Sequence, residues 1–266
     1  MTTNVAVNRF RDRVGHFLRA DLEIAPATSE RFIERAVRTF LERDDADLEQ
    51  VSADLCRTGI RARWNAELGA ARSAALGGWV APHVDGPVLD LLCGTGGVGD
   101  ALRARGVVVT LSERAAGSCA GHRQHGSFVP MEQLEALDTR RCYGTVLLCT
   151  VLHHEADADG LLALGARLAQ RRLIIVENCL ETNYQADYQL LMDVFFNRCL
   201  NPNDLSSPGD HRSAADWARA ASAYGDLVLV ERKQQIPGIP LGHHLIVLDI
   251  PRSSDTAPEI SGDQER

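Results

Sequence analysis

Lysine is almost missing from this chain of 266 residues: Lys233 stands alone, and every other basic residue is arginine. The 28 basic residues face 36 acidic ones, for a formal net charge of −8, and no segment carries a basic stripe. A surface that neutralises nucleic-acid phosphates needs such a stripe, so its absence argues against nucleic acid as a partner. No run of about 18 apolar residues occurs, which excludes a membrane-spanning helix. The stretch "MTTNVAVNRFRDRV" has no apolar signal-peptide core, and the expected location is the cytoplasm. The seven cysteines form no CxxC pair. Cys93, Cys142, Cys149 and Cys179 sit in or beside apolar runs and read as buried, reduced thiols. Apolar residues make up 45% and charged residues 24%, enough for a globular chain with a sizeable core.

Glycine, by contrast, is concentrated. Residues 86–102 read "GPVLDLLCGTGGVGDAL": an apolar run from Val88 to Leu92, then Gly94, Gly96, Gly97 and Gly99, then a short helical pattern. Glycines at a strand-to-helix turn admit positive φ and let the backbone approach a ligand. A nucleotide-like molecule above a sheet edge is the expected occupant. "GTGGVG" also spells the dinucleotide fingerprint, which keeps an NAD-dependent oxidoreductase open as an alternative. Asp90 on the strand argues for a cationic or donor-rich ligand instead. Glu113, at the end of "VVVTLSE", is placed to accept ribose hydroxyls.

The rest of the chain divides by texture. Residues 1–84 repeat helical apolar spacing, with Val7, Phe10, Val14, Phe17 and Leu18 first. A second helix opens at a cap on Thr28 or Ser29, and "LEQVSADLCRTGIRARWNAEL" gives a third helix or a pair. From residue 85 to 251 short apolar runs alternate with helical segments, the rhythm of a parallel sheet covered on both faces. A helical insert is expected at about 183–212. Ser213 and Asp216 are spaced as a capping box for the helix that follows. "DLVLVERKQQ" and "HHLIVLDIP" read as an antiparallel hairpin at the sheet edge. The polar tail at 252–266 reads as disordered.

As an ordered set these motifs resemble those of class I S-adenosylmethionine-dependent methyltransferases. "VLDLLCGTGGVGDAL" is similar to the family's first motif and "VTLSERA" to its second; "YGTVLLCTVLHHEADADGLLALGARL" resembles the fourth-strand motif and "RRLIIVEN" the fifth strand. The resemblance covers about residues 80–250. It implies an α/β fold: a Rossmann-like, mostly parallel seven-stranded sheet with helices on both faces, plus a helical N-terminal cap. The implied cofactor is S-adenosyl-L-methionine, held by Asp90, Cys93, Gly94 and Gly96 at the first motif, Glu113 at the second, Met131 and Glu132 at the third, and Thr150 after the fourth strand. Two departures stand out. Leu92 occupies a position where the family often has glycine, and "SFVPMEQL" offers Met131 and Glu132 where the family usually has an aspartate near adenine.

The chemistry is expected at the carboxyl ends of the strands. His153 and His154 follow the fourth strand; Glu177 and Asn178 end the fifth. Neighbouring strands lie about 4.8 Å apart, so a histidine and a carboxylate from these ends come within reach. A carboxylate on one ring nitrogen fixes the tautomer and raises the basicity of the other. "LHHEAD" also resembles the "LHDWSD" pattern of small-molecule O-methyltransferases, which implies His153 as general base and Glu177 as its support. The expected substrate is a small molecule methylated at oxygen, in specialised metabolism. Transfer to nitrogen or carbon without a base, and a non-catalytic binding protein, remain as alternatives. Trp64, His154, Asn178, Tyr184, Asn197, His211 and Arg212 are the candidate substrate contacts. His243 and His244 are neighbours on a strand and point to opposite faces, so no metal site is expected from them.

Overall fold

The computed structural model describes residues 4–42, 45–114, 128–136, 142–180, 185–200 and 210–251. Its helices, in chain order, are α1 (Asn4–His16), α2 (Pro26–Glu42), α3 (Asp45–Arg57), α4 (Ile60–Arg63), α5 (Ala70–Val80), α6 (Gly97–Arg103), α7 (Met131–Ala136), α8 (Ala158–Leu168), α9 (Gln185–Asp193) and α10 (Ala214–Ala221). The strands are β1 (Val88–Leu91), β2 (Val109–Glu113), β3 (Phe128–Pro130), β4 (Tyr143–Cys149), β5 (Ala169–Glu177), β6 (Asp226–Ile236) and β7 (Ile239–Asp249).

The strands form one seven-stranded sheet in the order β3-β2-β1-β4-β5-β7-β6. β1 to β5 are mutually parallel, and β7 runs antiparallel to both β5 and β6. The near-continuous apolar runs follow from this arrangement, since a strand covered on both faces has no polar side. On β5, Leu173 and Ile175 pack into one core with Trp217 of α10 and Leu161 of α8. Ile174 and Val176 pack into the opposite core with Leu76 and Trp79 of α5. The terminal hairpin turns at Pro237 and Gly238, where Gly238 takes φ 79°, as a tight turn with proline first requires.

Local signals explain most boundaries. Asp157 caps α8 by accepting from Gly160 N–H. The expected capping box is present at α10: Ser213 Oγ accepts from Asp216 N–H and donates to the Asp216 carboxylate at 2.6 Å. α2 starts earlier than its Thr28–Ser29 signal, at Pro26, because proline at a first helical position is pre-set in φ and has no N–H to leave unbonded. Cys179 is buried as expected, but Cys142 is exposed.

The N-terminal helices do not form a core of their own. Phe10, Phe17, Phe32 and Leu55 share one with Tyr188, Leu191, Phe195 and Phe196 of the segment after β5. The Phe10 and Phe195 rings meet edge to face at 6.0 Å, and Phe17 meets Phe196 at 5.3 Å. α5 packs with the sheet layer instead, although its sequence reads as part of the N-terminal region. A cavity where Phe195 now sits would empty the centre of the helical layer. Phe195→Ala is expected to lower the unfolding free energy by about 3–5 kcal/mol in urea denaturation, while Val108→Ala, at an exposed position, stays within about 0.5 kcal/mol of the parent.

Candidate active site

The strand order reverses between β1 and β4, and open α/β sheets bind ligands at such a point, beyond the carboxyl ends of the strands. A cleft of about 420 Å³ opens there. The glycine-rich turn forms its floor. Gly94 has φ 57°, and a Cβ on it would meet nothing within 4 Å, so its open side faces the cleft. Gly96 takes the left-handed conformation that starts α6. Gly97 is needed for a close approach: a Cβ there would press on Ser73 Oγ of α5.

Two acids border this floor. Asp90 is buried on β1, and its Oδ2 has no hydrogen-bond partner among the described residues. Burial raises its pKa to about 7, against a weaker opposing effect of the Gly99 N–H. Glu113, at the end of β2, accepts from Gly94 N–H at 2.9 Å through Oε2 and from Arg114 N–H at 2.8 Å through Oε1. Both acids line the cleft, together with Cys93 and Thr150. A carboxylate oxygen has more than one lone pair, so Glu113 retains acceptor capacity toward a ligand.

The opposite side is built on Glu177. This side chain is fully buried at the end of β5. Its Oε1 accepts from Val151 N–H at 2.9 Å and from Leu152 N–H at 2.8 Å, which holds the short 3₁₀ turn Leu152–His154 that follows β4. Its Oε2 lies 2.6 Å from His153 Nδ1. Burial disfavours charge on His153, but the Glu177 carboxylate, by its charge and its hydrogen bond, and Asp193 outweigh it and hold the imidazole pKa above its ordinary value. With Nδ1–H turned to Glu177, Nε2 is the nitrogen left to act, and Asp193 Oδ1 stands 3.9 Å from it. His154 and His211 flank the ring at centroid distances of 3.9 and 5.2 Å. Burial, and then the neighbouring His153, push His154 down to about 3. Burial and the Arg72 charge do the same to His243. Asp193 sits 2.8 Å from His211 Nε2, and this histidine, with His153, overcomes burial to hold the Asp193 carboxyl below its ordinary value.

The apolar wall comes from the helical layer and the hairpin. Trp64, Met192, Phe196 and Leu241 line it. Trp64 and Phe196 stand in π-helical segments, Trp64–Gly69 and Val194–Leu200, with ring centroids 6.2 Å apart. Trp64 Nε1–H donates to Gly238 O of the hairpin turn at 3.3 Å. Asn178 and Asn197 add polar groups, and Asn197 Nδ2 meets His154 Nε2 at 3.4 Å.

Several expectations need correction. Met131 is buried in the core with Leu134, and Glu132 is exposed; neither lines the cleft. Gly96 shapes the turn without lining the cleft. His211 stands behind the wall, against Asp193 and His153. Arg212 is turned away: it lies over the Trp217 ring at 4.5 Å and pairs with Asp159 and Asp210, whose hydrogen bonds raise its pKa. Tyr184 lies outside the described residues. The sequence reading missed Arg72, Asp193 and the Arg114–Glu155 ion pair, all at the cleft. For Asp193 the one signal was an acid inside an apolar helical pattern. Among the described residues no group of three His, Cys, Asp or Glu side chains is arranged to hold a metal ion, and no helix is long and apolar enough to cross a membrane.

No protein-family model matches the chain, and no curated protein matches it. Solved structures do. A chain in the complex with the Trm112 methyltransferase activator of Haloferax volcanii has a TM-score of 0.53 at 14% identity, covering 76% of this chain and 98% of that one. A protein solved in work on the conversion of a disulfide bond into a thioacetal group during echinomycin biosynthesis has a TM-score of 0.51 at 16% identity, covering 68% and 82%. A protein of Nostoc punctiforme PCC 73102 described as an O-methyltransferase has a TM-score of 0.50 at 16% identity, covering 68% and 56%. With the sheet order above, these likenesses give the chain the Rossmann-like fold of class I methyltransferases.

Two outcomes follow from the electrostatics. Glu177→Gln removes the anion that sustains the His153 proton, so the His153 pKa is expected to fall, as read from histidine ring ¹⁵N shifts across a pH titration. His154 is neutral in the folded chain down to about pH 3 but titrates near 6.5 when unfolded. Between those values the unfolded chain binds a proton that the folded chain lacks, so stability falls as pH falls. His154→Asn is expected to make that fall shallower by about 1.4 kcal/mol per pH unit between about pH 6 and 4, measured from urea midpoints at successive pH values.

Proposed function

We infer that the protein is an S-adenosylmethionine-dependent methyltransferase that acts on a hydroxyl group of a small molecule. The observation that carries this reading is the His153–Glu177 pair at 2.6 Å, held at one side of a cleft whose floor is a glycine-rich turn. S-adenosylmethionine supplies, when bound, a methyl group on a cationic sulfur. The residues present suit it. The buried Asp90 Oδ2 without a partner fits a donor-rich cation, which would also return the raised Asp90 pKa toward the ordinary carboxylate range. Glu113 suits a pair of vicinal hydroxyls, and the bare face of Gly94 suits a ligand resting on backbone.

His153 Nε2 then serves as general base. It takes the proton of the acceptor hydroxyl, and Glu177 stabilises the imidazolium formed. The 3₁₀ turn pinned by Glu177 fixes the ring without further side-chain rearrangement. Trp64, Met192, Phe196 and Leu241 form an apolar wall that excludes water and suits a ring or hydrocarbon body on the acceptor. Small size of the substrate is supported by the cleft volume.

Isothermal titration with S-adenosylmethionine, alongside NAD, is the first check: binding of the former and none of the latter is expected. In product mass spectrometry against a panel of hydroxylated acceptors, a gain of one methyl group identifies the substrate. His153→Ala is expected to lower turnover by about 10²–10⁴-fold while donor affinity stays within twofold or so of the parent. A near-parental rate in that variant would shift the reading to a nitrogen or carbon acceptor that needs no base.

A further inference from the structure

A second acid stands at the reacting nitrogen. Asp193 is the last residue of α9 and lines the cleft although only 4% of it is exposed. Its two oxygens have different neighbours. Oδ2 lies 2.8 Å from His211 Nε2, behind the wall, and Oδ1 stands 3.9 Å from His153 Nε2. A span of 3.9 Å is too long for a hydrogen bond. Glu177 already orients the ring through Nδ1. Among the described residues neither Asp193 Oδ1 nor His153 Nε2 has a hydrogen-bond partner.

The protonation pattern makes a demand on whatever enters between them. When His153 is ready to take a proton, its Nδ1–H faces Glu177 and Nε2 carries a lone pair. An ionised carboxylate is also an acceptor only. Two acceptors then border one small space, and a buried acceptor left without a donor is costly. One hydroxyl has one proton and satisfies one of them. A ligand with two neighbouring donors satisfies both. Hydroxyls on adjacent carbons of a planar ring hold their oxygens roughly a hydrogen-bond length apart, a spacing that suits acceptors set side by side at 3.9 Å. Met192 precedes Asp193, and Phe196 follows in the π-helical continuation of α9, so one segment supplies both the carboxylate and part of the apolar wall for the ring.

We propose that Asp193 selects the acceptor by taking a second hydroxyl on the carbon next to the reacting one, which makes the substrate class an aromatic ring with two adjacent hydroxyls. This rests on the reading of the cleft as an O-methyltransferase site. The reacting hydroxyl gives its proton to His153 Nε2, and the second keeps its own while donating to Asp193 Oδ1. His211 is a positioning residue that holds Oδ2 away from the acceptor. The arrangement also limits the product to one methyl group. A monomethylated ring that returns with its free hydroxyl at His153 turns an ether oxygen, which has no proton, toward the carboxylate.

The test compares 2,3-dihydroxynaphthalene with 2-naphthol as acceptors by kcat/KM and product mass, on the full chain with S-adenosylmethionine. The parent is expected to prefer the diol by about 10- to 100-fold, the worth of a hydrogen bond to a charged group, and to add a single methyl. In Asp193→Ala the ratio is expected to fall to about one, and Asp193→Asn, which keeps a neutral acceptor, to hold part of it. Isothermal titration with the donor reports that each variant is folded. A ratio that survives in Asp193→Ala overturns the assignment, as does a parent that uses both acceptors equally or adds a second methyl as fast as the first. If Asp193→Ala binds the donor but loses turnover of both acceptors, the carboxylate serves the base and the proposal fails. A parent that binds the donor and methylates neither acceptor overturns the diol assignment and leaves the donor site standing. A parent that does not bind the donor overturns the reading of the whole site, and the proposal with it.

Discussion

A single buried carboxylate organises the reactive side of this molecule. Glu177 receives two backbone N–H groups and one imidazole, and all three come from the turn after the neighbouring strand. A buried anion needs several donors to offset the loss of water, and the turn at 151–153 provides them because β4 and β5 lie side by side in register from Thr145 to Cys149. The demand of one charge therefore fixes a backbone turn, a ring orientation and a tautomer together. The same clamp sets the protonation pattern around it. His153 is held toward its charged form, while the half-buried His154 and the buried His243, without an anion at hydrogen-bonding distance, stay neutral.

The walls of the cleft have a different origin. Trp64 comes from before the sheet, Phe196 from the segment after β5, and Leu241 from the last strand. They meet because the N-terminal helices cannot bury their apolar faces alone and share a core with α9 and its π-helical continuation. In two places the wall residue sits in a π-helical stretch, where the wider turn re-aims side chains relative to a regular helix. The floor and the His153–Glu177 pair are thus set by the sheet, and the apolar wall by the core that the helical layer shares with the segment after β5.

The sheet was legible in the sequence because its information is local. Apolar runs, the glycine cluster and the Ser213–Asp216 spacing each state a backbone requirement within a few residues. The approach of His153 to Glu177 was legible for a related reason: adjacent parallel strands bring their ends together at a known spacing. What escaped depends on the third dimension. Arg72 lies on a helix that reads as part of the N-terminal cap, and only the packing of α5 against α6 carries it to the cleft, where it meets Thr150. Arg212, read as a pocket residue from its place after a loop, was claimed instead by Asp159 on α8 and by the Trp217 face. Met131 went to the core because α7 presents it and Leu134 on one side. The π-helical stretches left no trace in the residue pattern.

The order of the sheet has a further consequence for how the chain comes into being. β7 lies between β5 and β6, so β6 touches the sheet only through the strand that follows it. A chain emerging from the ribosome exposes the Leu-Ile-Ile-Val edge of β5 until residues 239–249 arrive to cover it. An apolar unpaired edge invites pairing with another copy. The final strand is therefore the stopper that ends this vulnerable interval, and nascent chains arrested before it would be the ones most prone to stick together.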